Sequence, residues 1–262
     1  MRVAVLGLGE AGRAIAADLV AAGASVSGWD PAVVRPPSPQ VTLAANAQEA
    51  VAGAEAILSV NSGQAAPVLA RELASALAPG QLYADLNTAA PRLKAELAAV
   101  IEGAGGSFAD VALMAPVPGR GLRTPCLASG SGAQEFARRF GALGMPVEVL
   151  DGQAGAAAAR KLLRSVFMKG LAAAALESVT AARAAGCEQW LHDELAQTLA
   201  QADAAMLDRL LTGSCQHASR RVHEMQAAAQ MLGELGVQPR VCAAAEQWLM
   251  ALDANAEVPD AA

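Results

Sequence analysis

The stretch Val3-Ala-Val-Leu-Gly-Leu-Gly-Glu-Ala-Gly12 decides the fold class of the chain. An apolar strand signal runs directly into glycines at positions 7, 9 and 12, and apolar residues with helical spacing follow. In a strand–turn–helix unit, the first glycine allows a tight turn, the second lets a pyrophosphate approach the backbone, and the third lets the helix pack closely on the sheet. The stretch therefore predicts a dinucleotide-binding turn, with a glycine-rich turn of no function as the alternative.

An acidic residue ends the next apolar segment. Asp30 lies eighteen positions after Gly12, near the spacing at which a carboxylate accepts hydrogen bonds from the hydroxyls of the adenosine ribose. This placement favours NAD, because the 2′-phosphate of NADP would meet a negative charge there. NADP stays open, since Arg35 is a nearby base for that phosphate. The alternative is that Asp30 only caps a turn before Pro31.

Composition limits the partners and the compartment. The chain has 262 residues, a formal net charge of −6 and 54% hydrophobic residues. With a sequence pI of about 5.1 it offers no basic stripe for nucleic acid, and charged residues interrupt its apolar runs before they reach membrane length. The four cysteines lack paired metal-ligand spacing, and the chain begins with a strand signal rather than a leader. We expect a cytoplasmic protein that binds small molecules, with no metal, no nucleic acid and no membrane.

Strand and helix signals alternate through the first half of the chain. This alternation is typical of a parallel sheet covered by helices on both faces. A proline-rich loop separates the second strand from the rest. The predicted strands after that loop cover residues 54–60, 81–85, 107–114, 125–128 and 147–150, the predicted helices cover 64–77, 91–102 and 133–143, and the loop covers 31–39.

The strand signal disappears from Gly152 onward. Alanine- and leucine-rich helical stretches run to about residue 254, with breaks predicted near Gly186, Gly213 and residues 236–239. The tail after Asp253 has little apolar content, so we expect it to be frayed. The sequence therefore predicts an α/β fold class: an N-terminal Rossmann doubly wound sheet over residues 1–151, followed by an all-α C-terminal domain over residues 152–262.

A polar stripe lies on the first predicted helix of the second half. Lys161, Ser165 and Lys169 are spaced at i, i+4 and i+8, which places their side chains along nearly one helix face. Arg164 lies close to them at i+3 from Lys161. The stripe indicates either a polar ridge that looks into a cleft or an ordinary solvated face.

Four segments resemble the β-hydroxyacid dehydrogenases, the superfamily of 3-hydroxyisobutyrate and 6-phosphogluconate dehydrogenases. They occur in the family's order and span most of the chain. Two further stretches, residues 161–170 and 220–225, look most like an uncharacterised phosphogluconate-dehydrogenase-like branch. The four segments are Gly7-Leu-Gly-Glu-Ala-Gly12, Asp85-Leu-Asn-Thr-Ala-Ala-Pro91, Ala115-Pro-Val-Pro-Gly119 and the helix from Gly155 to Ser165.

The resemblance implies a set of site residues. Lys161 occupies the position of the general acid/base that takes the proton from the substrate hydroxyl as hydride leaves for nicotinamide C4. Burial beside other cations would lower the pKa of its amine toward the working range. The resemblance assigns Lys161 and Ser165 to catalysis; Gly7, Leu8, Gly9, Glu10, Ala11, Gly12, Asp30 and Asn61 to the cofactor; and Asn87, Thr88, Pro118, Gly119, Arg164 and Lys169 to the substrate.

Three site residues depart from the family pattern. Ser165 stands where the family usually has asparagine, Pro118 where it usually has serine, and Asn87 in place of the first hydroxyl residue. The resemblance therefore implies that the substrate contacts differ from those of better-known relatives. Arg120 and Arg123, after the substrate loop, serve either an anionic group or solubility.

The resemblance also implies an assembly. Members of this superfamily often form homodimers through the helical domain, and one subunit contributes to its neighbour's cleft. Arg220, Arg221 and His223 form a compact polar cluster that either completes such a site or is a solvated face.

The predicted function is an NAD(P)-dependent dehydrogenase that acts on the CH–OH group of a hydroxyacid or a related small molecule. One alternative is an imine or ketone reductase on the same scaffold, and another is a redox sensor that binds dinucleotide without turning it over. Lys161 argues against both, because imine reductases of this fold typically have another residue there and a sensor needs no proton carrier.

Overall fold

The computed structural model describes residues 1–255, which divide into two compact units, Met1–Ser165 and the chain from Val166 onward. Within the described residues, the first unit holds the strands and the second holds helices alone. The strands are β1 Arg2–Leu6, β2 Ser25–Trp29, β3 Val41–Leu43, β4 Ala56–Ser59, β5 Leu82–Asp85, β6 Ser107–Leu113, β7 Cys126–Ser129 and β8 Val147–Val149. The helices are α1 Glu10–Ala21, α2 Ala47–Val51, α3 Ala66–Leu73, α4 Pro91–Gly103, α5 Ala133–Gly141, α6 Ala156–Ala184, α7 Glu188–Ala200, α8 Ala204–Gln216, α9 Ala218–Glu234 and α10 Arg240–Asn255.

The eight strands described in residues 1–255 form one sheet in the order β3-β2-β1-β4-β5-β6-β7-β8. The chain starts in the middle of the sheet, builds outward to β3, and then returns to the other side of β1 with β4. Both faces of the sheet are covered by apolar residues. Side chains of β1 alternate between the two faces: Val3 and Val5 pack in the core on one face, and Ala4 and Leu6 pack in the core on the other. The predicted doubly wound fold class is therefore confirmed.

Two strand directions differ from the prediction. We expected a parallel sheet, but β7 runs antiparallel to β6, and β8, which is parallel to β7, is reversed with it. The connection between them contains only a short 3-10 turn, Gly121–Arg123, and no helix that could carry the chain back across a face, as a parallel crossover requires. The next strand, β8, is parallel to β7 because α5 makes that crossover.

Two short elements between the proline-rich loop and β4 were not predicted. Strand β3 has only three residues, too few for a clear alternation signal. Helix α2 begins with a variant of the capping box: the side chain of the N-cap residue Asn46 accepts the N–H of Glu49, and Glu49 accepts the N–H of Ala45, one residue before the cap. The spacing of Asn46 and Glu49 in the sequence was therefore a signal from which the start of this helix could have been predicted.

The helix breaks of the second unit agree in part with those predicted. The predicted breaks near Gly186 and residues 236–239 agree with the ends of α6 and α9, whereas the break predicted near Gly213 falls at His217, between α8 and α9, and Gly213 itself lies inside α8. The guanidinium of Arg221 packs against this glycine, with Nη2 3.1 Å from where a Cβ would lie. A break at residues 201–203 was missed, although Asp203 caps α8 by accepting the N–H of Met206.

The first turns of α6 belong to the first unit. Ala157 and Ala158 are buried against the sheet, so the units divide within α6 at Ser165 rather than where the strands cease. The assignment of domains to residues 1–151 and 152–262 stays a prediction. Most of the tail predicted to be frayed lies outside the described residues. No helix within residues 1–255 is long and apolar enough to cross a membrane.

Candidate active site

The glycine turn connects the end of β1 to the start of α1. Gly7 has a φ of +103°, which glycine adopts without strain. A Cβ on Gly12 would lie 1.9 Å from the carbonyl oxygen of Gly7, so a side chain there would displace α1 from the strand. A Cβ on Gly9 would meet nothing within 4 Å. The turn thus leaves open space at the N-terminus of α1, where helix N–H groups favour an anion, and this geometry fits the pyrophosphate of a dinucleotide.

Asp30 follows β2 and holds the glycine turn through its carboxylate. Oδ2 accepts the N–H of Leu8 at 2.8 Å, and Oδ1 accepts the N–H of Ala32 at 2.9 Å. Asp30 therefore caps a turn. This capping does not exclude the cofactor role, because a carboxylate offers about four acceptor sites and further sites remain for ribose hydroxyls.

A cavity of about 570 Å³ lies beside this turn, at the switch point where the chain leaves β1 for strands on opposite sides. Of the predicted cofactor residues, Gly7, Gly9, Asp30 and Asn61 line it. Leu8, Glu10, Ala11 and Gly12 belong to the turn or the first turn of α1 and do not line it. No Lys or Arg occurs among the described lining residues, which are Gly7, Gly9, Trp29, Asp30, Pro31, Val60, Asn61, Ser62, Ala65, Val68, Leu69 and Glu72.

A second, small cavity, too narrow in this structure to hold a water molecule, lies at the carboxyl ends of β5 and β6 and brings together three predicted residues. Lys161 from α6 lines it with Asn87 and Thr88, which follow β5. Asp110, on β6, lines the same cavity and was not predicted. Lys161 is half-buried and Asn87 is buried, whereas Thr88 is exposed. A cation, an amide and a hydroxyl therefore converge within the first unit.

A buried ion network adjoins this small cavity. Asp85 and Asp110 lie side by side on β5 and β6, where like charges repel each other. The ammonium of Lys94, on α4, lies 2.6 Å from Asp85 Oδ2 and 3.2 Å from Asp110 Oδ1. All three side chains are at most 1% exposed. One lysine therefore lies between two carboxylates in a place that solvent does not reach.

The network fixes the amide of Asn87. Its Nδ2 donates to Asp85 Oδ1 at 2.5 Å and to the Ser59 hydroxyl at 2.9 Å. Ser59 also accepts a hydrogen bond from Nδ2 of Asn61 at 3.3 Å. A single hydroxyl on β4 thus joins a residue of the cofactor cavity to a residue of the small cavity.

Tyr83 lies on β5, two residues before Asp85. Burial raises the pKa of its hydroxyl well above the ordinary value, and the negative charge of Asp85 acts in the same direction. Tyr83 therefore stays neutral next to the network and adds no charge to it.

Sequence reasoning missed Lys94, Asp85 and Asp110. A signal for Lys94 was present, because it shares the buried face of α4 with Leu97 and Ile101, and a lysine in an apolar stripe is rarely buried without a partner. The two aspartates both fall near the ends of predicted adjacent strands. Their pairing with one helix residue depends on tertiary packing.

The remaining predicted residues lie apart from the two cavities. Pro118 and Gly119 are exposed on the loop after β6, and the half-buried Asp18 on α1 fixes the end of that loop by accepting the N–H of Leu122 at 2.8 Å. On α6, Ser165 is half-buried and Arg164 exposed in the first unit, while Lys169 is exposed in the second.

The polar cluster of α9 makes one contact within its own helix and one with α8. Arg220 lies 3.8 Å from Glu224, and Arg221 donates to the Ser214 hydroxyl at 2.6 Å. His223 is exposed. Its role in a neighbouring subunit stays a prediction. Across residues 1–255, no group of His, Cys, Asp and Glu side chains has an arrangement that could hold a metal ion.

The doubly wound sheet and its glycine turn define an NAD(P)-binding domain of the oxidoreductase type. Residues 2–121 match the family model described as the NAD binding domain of 6-phosphogluconate dehydrogenase, and residues 182–252 match a domain of unknown function, DUF1932. The chain belongs to the β-hydroxyacid dehydrogenase superfamily, in a branch that joins these two domains. The resemblance found in the sequence and the cofactor class NAD(P) are confirmed.

Two solved structures similar to this chain have unassigned functions. A conserved hypothetical protein from Sinorhizobium meliloti 1021 is 30% identical, with 100% of this chain and 90% of that chain covered and a TM-score of 0.63. The conserved protein MTH1747 is 28% identical, with 98% and 100% covered and a TM-score of 0.62. It is described as structurally similar to 3-hydroxyacid dehydrogenases.

A more distant structure shares the fold alone. The reductive aminase from Aspergillus terreus, in complex with NADPH and ethyl levulinate, is 19% identical, with 98% of this chain and 95% of that chain covered and a TM-score of 0.81. Among curated proteins, an uncharacterized 28.5 kDa protein in the 7S RNA 5' region of Methanothermus fervidus is 27% identical over 144 residues. The match spans 55% of this chain and only 55% of that protein.

Proposed function

We propose that the protein is an NAD-dependent dehydrogenase of small β-hydroxyacid-like substrates. In the oxidative direction, the C–H bond of the carbinol carbon breaks, its electron pair leaves as hydride, the hydroxyl loses its proton to the amine of Lys161, and a C=O bond forms. When bound, the dinucleotide accepts the hydride at nicotinamide C4. The observation that carries the proposal is that Lys161, Asn87 and Thr88 meet at one small cavity in the same unit as the glycine turn, and this cavity has to widen to admit the substrate hydroxyl.

The chain's own residues then have separate tasks. Lys161 moves the proton, for which an amine positioned within hydrogen-bond reach is suited. Asn87 is fixed with its Nδ2 toward Asp85, so we assign its Oδ1 to accept from a second donor of the substrate, since the single proton of the reacting hydroxyl goes to Lys161. Thr88 offers an exposed hydroxyl. Ser165 follows Lys161 by one helical turn, and Arg164 supplies a planar guanidinium for a carboxylate.

The direct test is a panel of small 3-hydroxyacids and sugar acids with NAD or NADP, followed by the absorbance of the reduced nicotinamide. We expect turnover of at least one hydroxyacid with NAD. A second panel tests the reductive direction, with ketones and cyclic imines as substrates and NADH or NADPH as the hydride donor. Turnover of imines alone would contradict the CH–OH assignment, and tight binding of NADH without any turnover would favour a redox sensor.

The imine reductase candidate rests on one observation, the fold shared with the Aspergillus terreus reductive aminase. Fold alone does not fix the chemistry. A lysine at the position of Lys161 favours a hydroxyl substrate, because its neutral amine can take the hydroxyl proton as hydride leaves. We therefore keep imine reduction as the second candidate, which the panel separates from the first.

We further propose that NAD is preferred over NADP, with Asp30 as the determinant. The described lining of the cofactor cavity holds two carboxylates, Asp30 and Glu72, and no side chain that could neutralise a 2′-phosphate. Asp30→Asn removes the charge with little change in shape. A hydrogen bond to a charged group contributes about 1.5–3 kcal/mol, so we expect the ratio of the NADPH to the NADH dissociation constant to fall by about tenfold or more.

Fluorescence titration with NADH and with NADPH measures this ratio. Glu72→Gln is the matched control, because it removes the other carboxylate of the same cavity and should leave NADH affinity nearly unchanged. Tighter binding of NADPH than of NADH by the unmodified protein would contradict the proposed preference.

We also propose a homodimer formed through the helical unit, in the cytoplasm. Large apolar side chains are exposed on this unit in unusual number, and such surface marks interfaces in soluble proteins. They include Val166, Phe167, Leu176, Trp190, Leu211, Trp248 and Met250. The cysteines, all at described positions, are free thiols, as the reducing cytoplasm requires.

Sedimentation velocity tests the dimer. We expect a species of twice the chain mass of 26.4 kDa, and we expect Phe167→Glu to shift it toward the monomer because the substitution places a charge on an apolar contact. Val34→Glu is the control, since Val34 is also apolar and is even more exposed, at 89% against 56% for Phe167, but lies on the proline-rich loop of the first unit. A monomer at all concentrations would contradict the proposal.

A further inference from the structure

Asp110 connects the sheet to the helix that carries Lys161. Its Oδ2 accepts the N–H of Gly155 at 2.9 Å, the N–H of Ala158 at 3.0 Å and the hydroxyl of Ser129 at 3.2 Å. Its Oδ1 forms the ion pair with Lys94 at 3.2 Å. Ser129 in turn accepts the N–H of Ala157 at 3.1 Å. The N-terminus of α6 is therefore held by one carboxylate and one hydroxyl.

This attachment is rigid and electrostatically favourable. Asp110 is fully buried, so its contacts are not exchanged with water, and charged hydrogen bonds in such surroundings are stronger than neutral ones. A carboxylate at a helix N-terminus is also stabilised by the helix dipole. α6 has 29 residues, and its start is fixed at the point where the positive end of that dipole lies.

The attachment determines where Lys161 lies. Lys161 follows Ala158 by three residues, so the two share one face of α6. Both residues line the small cavity together with Asp110 and Asn87. Asn87 is bonded to Asp85, and Asp85 and Asp110 bind the same ammonium of Lys94. One buried network thus fixes both sides of the cavity.

We propose that Asp110 is a positioning residue, which fixes the first turn of α6 and thereby sets the amine of Lys161 against Asn87. The inference rests on the proposed catalytic role of Lys161. A displacement of about 1 Å in a reacting group lowers a rate by about 10²-fold, so loosening this turn is expected to reduce turnover without changing the cofactor cavity.

The test compares Asp110→Asn with Asp151→Asn in the full chain. Asp110→Asn keeps the side-chain shape and leaves the Lys94–Asp85 pair balanced in charge. Asp151 is exposed just before α6, so the control removes a carboxylate near the same helix end without touching the network. Two measurements are made on each variant: the acetylation rate of each lysine with acetic anhydride, by peptide mass spectrometry, and kcat together with the NADH dissociation constant.

The labelling of each lysine can be measured separately, because the sequence contains only three lysines, Lys94, Lys161 and Lys169. Lys169, exposed on the same helix, is the internal reference. In Asp110→Asn we expect the acetylation rate of Lys161 relative to Lys169 to rise by about threefold or more, since the cavity side of α6 loosens and a negative charge is removed. A smaller change, or a decrease, overturns the proposal.

The kinetic measurement separates positioning from a general structural role. We expect kcat to fall by about tenfold or more with the NADH dissociation constant unchanged. An unaltered kcat, or a loss of NADH affinity that parallels the loss of kcat, overturns the proposal. If the unmodified protein turns over none of the panel substrates while the labelling ratio still rises, the dehydrogenase assignment fails, and only the part of the inference in which Asp110 fixes the position of Lys161 stands.

A second variant covers the case in which Asp110→Asn does not fold. Ser129→Ala removes the acceptor of the Ala157 N–H and one donor to Asp110 but leaves all charges in place. We expect the same rise in relative Lys161 labelling, of smaller size. An unchanged ratio in this variant counts against the proposal in the same way.

Discussion

Replacing Lys161 by methionine is expected to lower kcat by about 10²–10⁴-fold, the usual contribution of a positioned general acid or base. Methionine keeps the length and the apolar stem of the side chain but has no group that can carry the proton of the substrate hydroxyl. The NADH dissociation constant should be unchanged, because Lys161 lines the small cavity and not the cofactor cavity. Steady-state turnover of the best hydroxyacid of the panel, with a separate NADH titration, measures both quantities.

Arg160→Met is the matched control for Lys161→Met. Arg160 is the preceding cation on α6; it is exposed and bonded to the carbonyl of Ala156 in its own helix. Its replacement removes the same charge from the same turn without altering the cavity, so turnover should stay near that of the unmodified protein. Retention of full turnover by Lys161→Met would remove the proton-transfer role, and an equal loss in both variants would reduce it to an effect of net charge.

The features that could be predicted from the sequence are those that depend on local residue patterns. The glycine turn, the alternation of strands and helices and the helical second half each depend on neighbours within one or two elements. The stripe of Lys161, Ser165 and Lys169 was likewise readable, because helical periodicity alone places three residues on one face. The family resemblance added the proposed role of Lys161, which spacing does not supply.

The features that were missed depend on contacts distant in sequence. Strand β7 is reversed because the connection from β6 contains no crossover helix. From the sequence alone, Gly213 resembles a helix breaker, because its contact with Arg221 is visible only in the structure. The buried network joins two strands to α4, so no single stretch shows it, although the lysine in the apolar stripe of α4 was a partial signal.

Replacing Lys94 by methionine is expected to destabilise the first unit by about 3–5 kcal/mol, the range for removing one partner of a buried ion pair. The variant leaves Asp85 and Asp110 side by side on adjacent strands with no cation between them, in a place that water does not reach. The apolar replacement packs as well as the lysine stem, so the loss reflects the uncompensated carboxylates. Urea unfolding followed by circular dichroism measures it.

Arg92→Met is the control for Lys94→Met, because it breaks an ion pair on the same helix whose members, Arg92 and Glu96, are 90% and 50% exposed. Exposed pairs contribute about 0–1 kcal/mol, so this variant should be nearly as stable as the unmodified protein. Equal, small losses in both variants would contradict the account of the network.

The double variant Lys94→Met, Asp110→Asn identifies the origin of the destabilisation. It removes one of the two facing carboxylates, so the charge repulsion between β5 and β6 disappears and only Asp85 stays uncompensated. If buried charge is the cause, the double variant should be more stable than Lys94→Met alone. If lost packing were the cause, the second substitution would add to the damage, since it also weakens the bonds of Asp110 to Gly155 and Ala158.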